Sequence, residues 1–177
     1  MTRIFKLLAC FVVLALTACA VPKAAQTPDV DGLRRALVAM GDFVAADEAD
    51  TVARLSYAYS LQLRAEYQVS DPPLVHNAKV NKGRKPRGLC WHWADDLEAR
   101  LRSEDLQTFS LYRAIANSDN LRIEHSTVIL AERGAPMETG VVLDPWRYGG
   151  YLFWAPVAED TRYRWKSRAQ VFLDKRN

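Results

Sequence analysis

The hydrophobic rhythm of the chain changes once, near residue 109, and that change restricts the fold more than any other feature. Before it, apolar residues recur every three to four positions. Val30, Leu33, Leu37, Met40 and Val44 make one stripe, and Val52, Leu55, Tyr59, Leu63 and Tyr67 make another. Spacing of this kind gathers side chains on one face of an α-helix. After it the period is two. Phe109, Leu111, Arg113 and Ile115 alternate with Ser110, Tyr112 and Ala114, and Leu121, Ile123, His125, Thr127 and Ile129 alternate with Arg122, Glu124 and Ser126. Helices first and strands after predict an α+β domain, with helices packed on an antiparallel β-sheet.

Local signals divide the chain further. Thr27-Pro28-Asp29 reads as a helix start, with a hydroxyl cap, Pro at the first helical position and an acid in the first turn. A second helix is expected over residues 45–67, after Gly41-Asp42. A third is expected over 90–102, where Cys90, Trp93, Leu97 and Leu101 share a face and Asp95, Asp96 and Glu98 form the solvated side. Residues 70–89 have no period and are rich in Pro, Gly and cations, which predicts a loop. Its Lys79, Lys82, Arg84, Lys85 and Arg87 either form a solvated basic segment or frame a site for an anionic substrate or lipid head group. Turns are expected at 118–120 and 134–136, and short strands at 141–144 (ended by Pro145), 151–157, 163–166 and 170–173. Trp146, Trp154 and Trp165 read as core or cleft wall.

The first residues carry a different message. Arg3 and Lys6 precede an apolar run over residues 7–16, the build of a secretory signal and too short to span a bilayer. The run closes on Leu16-Thr17-Ala18-Cys19, which resembles the lipobox of bacterial lipoproteins. The resemblance implies a signal peptide over 1–18, a diacylglycerol-modified Cys19 at the head of the mature chain, a tether over 19–28 and one α+β domain over 29–177. It also implies a membrane as partner, reached through the acyl chains on Cys19. In lipoproteins an Asp after the lipidated Cys retains the protein at the inner membrane. Ala20 stands there, so the expected location is the periplasmic side of the outer membrane. Without Arg3 and Lys6 the 24 basic residues become 22 against 21 acidic, a net of +1, and such a balance implies no nucleic-acid partner.

Cysteine usage is the next constraint. Of the three Cys, Cys10 leaves with the signal and Cys19 is capped by lipid, so Cys90 is the mature chain's free thiol. A lone thiol in an oxidising compartment is a liability unless it is buried or used. Cys90 stands in the first turn of its predicted helix, where exposed N–H groups favour negative charge. His125 lies on a predicted strand, facing inward with Leu121 and Ile123. Asp144 ends the next strand, and two adjacent antiparallel strands would set it beside His125. A thiolate attacks, an imidazole carries the proton, and a carboxylate fixes the ring's tautomer. His92, two positions along the helix, and His76, in the loop, are rival partners for the thiol. The three His do not fall at usual metal-ligand spacings, and no metal or organic cofactor is expected.

These residues resemble the transglutaminase-like group of papain-type thiol enzymes. Gly88-Leu89-Cys90-Trp91 is similar to that family's Gly-x-Cys-Trp, His125 before Val128-Ile129-Leu130 to its strand His, and Leu143-Asp144-Pro145 to its strand-ending Asp. The likeness covers about residues 85–156 and implies a helix packed on an antiparallel sheet, with Cys90, His125 and Asp144 as catalytic residues. Asn77, Asn81 and Trp91 are candidates for the oxyanion helper. The implied activity is a cysteine peptidase, amidase or acyl-transferase acting on peptide or cell-wall peptide amides. The alternative is a non-catalytic binding or assembly module on the same fold, engaging a protein partner.

Overall fold

The computed structural model describes residues 21–120 and 123–176. The expected signal peptide, Cys19, Leu121 and Arg122 lie outside the described residues. In chain order the elements are α1 (Val30–Val38), α2 (Ala46–Glu66), α3 (Pro73–Asn81), α4 (Cys90–Arg102), β1 (Phe109–Ala116), β2 (His125–Glu132), β3 (Val141–Tyr148), β4 (Tyr151–Pro156), β5 (Lys166–Ser167) and α5 (Arg168–Asp174). The strands form one antiparallel sheet in the order β4-β3-β2-β1-β5. The α+β class with an antiparallel sheet is therefore as expected.

Each face of the sheet has its own core. Val128, Leu130, Val141 and Leu143 meet Leu33, Leu37, Val52, Leu97 and Leu101 from the helices. Burying each such side chain contributes about 1.5–3 kcal/mol, so these contacts pin α4 lengthwise against the sheet. Ser56 and Ser60 are completely buried along α2, as are Ala49 and Ala53, and these small residues let the helix approach closely. The alternate residues Ile129 and Val142 turn to the other face, where they pack with Ala114, Met137 and Trp165. A third cluster, Leu63, Tyr67, Trp93 and Trp146, lies beneath Cys90.

Several local expectations change. Asp29, not Thr27, caps α1, its Oδ1 accepting the Gly32 N–H at 2.9 Å, and the helix starts at Val30. The predicted loop over 70–89 contains α3, which starts at Pro73 and buries only His76, so it has no apolar stripe to betray it. Pro145 does not end β3. The strand continues to Tyr148 through a register shift after Asp144, where a residue lacking its N–H is tolerated. Residues 163–166 yield only Lys166 to a strand, and 170–173 belong to α5, capped by Ser167 Oγ at 3.2 Å from the Gln170 N–H. Strand β2 begins at His125, so Ile123 is 56% exposed and does not share an inward face with it.

Candidate active site

Cys90 is the first residue of α4, and its backbone is fixed from several sides. Leu89 has no side-chain acceptor with which to cap the helix. His92 supplies one instead: its Nδ1 accepts the N–H of Gly88 at 3.2 Å and of Leu89 at 3.1 Å. That role needs a lone pair on the ring. Burial first, then the Arg87 cation, lowers the pKa of His92 and favours the neutral form. Trp93 Nε1 donates to the Gly88 carbonyl at 3.0 Å, and His76 Nε2 to the Arg87 carbonyl at 2.9 Å. Gly88 adopts φ 123°, and a Cβ there would come within 2.4 Å of His76 Nε2. Only glycine satisfies both conditions. His76 and His92, the rivals for the thiol, are the supports of its backbone.

His125, at the start of β2, is 2% exposed and Asp144 is completely buried. His125 Nε2 donates to Asp144 Oδ2 at 2.7 Å. The imidazole rests among three aromatic rings, Trp146 at 4.7 Å, Tyr163 at 4.8 Å and Trp165 at 5.5 Å between centroids. Burial alone would lower its pKa. The charge and hydrogen bond of Asp144, with the neighbouring Cys90 thiol, outweigh burial and lift it to about 9. Asp144 moves the other way: burial raises its pKa, but His125 and Arg147 together hold it below the usual carboxylate value.

Cys90 reaches this pair by a different route from the one expected. Its helix does not pack on the sheet face that carries His125, since Val128 and Leu130 face α4 while His125 shares the side of Thr127 and Ile129. Contact is made at the end of the strand, because Cys90 is the helix's first residue. The half-buried thiol donates to the Glu124 carbonyl at 3.7 Å, one residue before His125. His125 Nδ1 is buried without a hydrogen-bond partner, and the Cys90 thiol lies near enough to the ring to raise its pKa.

Behind Asp144 lies a part of the site that the sequence reading missed. Arg147 donates to Asp144 from its backbone N–H at 3.1 Å and from Nε at 3.0 Å. Its other nitrogens grip Asp160 bidentately at 3.0 and 2.7 Å, and Asp160 also accepts the Trp165 indole N–H at 3.0 Å. The guanidinium lies 3.6 Å over the Phe153 ring. The chain His125–Asp144–Arg147–Asp160–Trp165 is thus buried throughout. Its signal in the sequence was Asp144 and Arg147 three apart across Pro145, inside an otherwise apolar strand.

Asn77 Oδ1 accepts the Trp146 indole N–H at 3.1 Å and so holds a ring of the His125 cage. Asn81 and Trp91 are exposed, Trp91 with its ring 3.8 Å from that of His92. Asp95 and Glu98 bind Arg113, and Asp96 binds Tyr67 and Arg87, so this side of α4 is a network of ion pairs and not merely solvated. Of the five cations before Cys90, Lys79 pairs with Asp71, Lys85 donates to the Gln68 carbonyl and Arg87 pairs with Asp96, while Lys82 and Arg84 are exposed. Trp154 donates to the Tyr57 hydroxyl at 3.0 Å. Among the described residues no group of three or more His, Cys, Asp or Glu side chains is arranged to hold a metal, and no helix is long and apolar enough to cross a membrane.

No protein-family model matches the chain, and no curated protein or solved structure is significantly similar to it.

Proposed function

We propose that the protein is a thiol hydrolase or acyl-transferase of the transglutaminase-like kind, acting on amide bonds and held at the periplasmic face of the outer membrane by lipid on Cys19. The observation that carries this reading is the buried His125, clamped to Asp144 at 2.7 Å through Nε2 and neighbouring Cys90, the free thiol on the first residue of α4. Cys90 gives its proton to His125, and the attacking pair is thiolate and imidazolium. The sulfur attacks the amide carbonyl carbon. As the C–N bond breaks, His125 returns a proton to the leaving amine and an acyl-thioester remains. Water or an acceptor amine then gives up a proton to His125 and attacks the thioester, releasing an acid or a new amide and regenerating Cys90. The Cys90 backbone N–H is available to the oxyanion. The lipobox and the location support peptide or cell-wall peptide amides as substrates.

A binding module on the same scaffold is the second reading, and one observation favours it: the thiol's hydrogen bond at 3.7 Å goes to the Glu124 carbonyl. Alkylation separates the two. Cys90 of the folded protein should react with iodoacetamide at pH 6–7 at least about tenfold faster than a free thiol, since a thiol near its ordinary pKa of about 8.5 is mostly protonated there. The His125→Ala variant should lose that advantage. Slow labelling that ignores His125 would leave the binding module as the better account.

A further inference from the structure

The segment that closes the aromatic cage also builds a second surface. Between the Arg147–Asp160 network and β5, Tyr163 and Trp165 turn inward against His125, while Arg162, Arg164 and Lys166 alternate outward and are exposed. These three cations line a groove of about 350 Å³ together with Tyr163 and Asn117. Asp119 is the acidic side chain on its wall among the described residues. Lys166 has only a distant ion pair, 3.7 Å to Asp174, and its side chain is 51% exposed. The segment is anchored to the buried network, because Asp160 accepts the Arg162 N–H at 3.2 Å as well as the Trp165 indole. Tyr163 is the shared wall: one face lines the groove, and its ring lies 4.8 Å from that of His125.

We propose that this groove is a substrate subsite for a carboxylate, so that the thiol site takes acidic peptides, with the carboxylate seated on Arg164 and Lys166 one ring away from His125. The assignment rests on the thiol-enzyme reading for its purpose, but not for its chemistry. Arginine and lysine at the rim of a concave site hold a carboxylate by charge-assisted hydrogen bonds, and the cations raise the local concentration of anions. An uncharged amide of the same shape gains neither.

Two measurements on the full chain test it. In the first, acetyl-Glu-Ala-amide, acetyl-Gln-Ala with a free C-terminus and acetyl-Gln-Ala-amide are titrated while the backbone amide resonances of Asn117, Tyr163 and Lys166 are followed. The two carboxylate peptides should bind about tenfold or more tighter than the neutral one. Arg164→Gln combined with Lys166→Gln should erase the difference. Equal binding of all three peptides, or shifts produced only by phosphatidylcholine vesicles containing phosphatidylglycerol, would overturn the subsite. In the second, Cys90 is alkylated by iodoacetate and by iodoacetamide. The rate ratio of anionic to neutral reagent should fall severalfold in the double variant and at high salt, with the iodoacetamide rate unchanged. A ratio indifferent to the two substitutions separates the groove from the thiol and overturns the proposal, whereas slow labelling by both reagents counts against the enzyme reading and leaves the peptide titration to judge the groove.

Discussion

His125 and Asp144 sit at 2% and 0% exposure inside a continuous chain of hydrogen bonds, while Cys90 is half-buried, its thiol donating one weak hydrogen bond at 3.7 Å. The sheet side of the site is held by charge. Asp144 has three donors, Arg147 has two carboxylates, and the imidazole is walled by aromatic rings. The helix side is held by backbone. Two histidines and an indole fix the main chain of residues 87–89, and the thiol takes its position from them. On the thiol-enzyme proposal, the contrast is a division of labour. A group that shuttles protons must keep one tautomer and exclude water, so it is worth over-constraining. A nucleophile must be reached by a substrate, so only its backbone can be fixed.

The sheet side is the more vulnerable of the two. Arg147→Met keeps the volume but leaves Asp144 and Asp160 buried without their cation, and should cost about 3–5 kcal/mol in urea unfolding. A loss under about 1 kcal/mol would mean the charges are not mutually dependent.

The next effect is a pH dependence. His125 is lifted to about 9 from its ordinary value of 6.5, so its contribution is fully present below pH 6.5 and is lost as pH rises through about 9. The loss across that window should be up to about 3 kcal/mol, read as the difference between wild type and Asp144→Asn unfolded at the two ends. Asp144 acts at the other extreme. Its lowered pKa gives a contribution present above its ordinary value of 3.8 and lost as pH falls through the lowered one. Parallel pH profiles for the two proteins between 6.5 and 9.5 would show that the pair stores no such energy.

The smallest effect belongs to the helix side. His92→Ala removes one acceptor serving two N–H groups at the head of α4, and should cost about 1 kcal/mol while slowing Cys90 alkylation far less than His125→Ala does. If the two substitutions slow it equally, the thiol depends on His92 for more than the shape of its backbone.

Much of the sheet side was legible because strand alternation is a strong signal. The period of two predicted β1 from residue 109 and placed His125 in a strand, although that strand starts at His125 and not at Leu121 as the alternation over 121–129 suggests. Asp144 was legible as the polar residue closing an apolar strand. Arg147 and Asp160 were not, since a buried charge reads as exposed until its partner is known, and that partner lies 13 positions away. On the helix side, Cys90 and its helix followed from a clean stripe ending in Trp93, Leu97 and Leu101. Helix α3 was hidden because it turns only His76 inward, and Pro72-Pro73 looks like a loop although Pro is well suited to a first helical turn. In the sequence, His76 and His92 read as partners for a thiol. Their work as backbone clamps became visible only once Gly88 was seen at φ 123°.

The site is assembled from distant parts of the chain, with Cys90 meeting the carbonyl 34 positions away and His125 meeting a carboxylate 19 positions away. Neither encounter exists in an extended chain. The strands must pair and α4 must dock before sulfur and imidazole share a neighbourhood, and non-local pairings of this sort form late. Until both have happened, the sulfur has no imidazole beside it. On the thiol-enzyme proposal, folding itself is the step that brings nucleophile and base together.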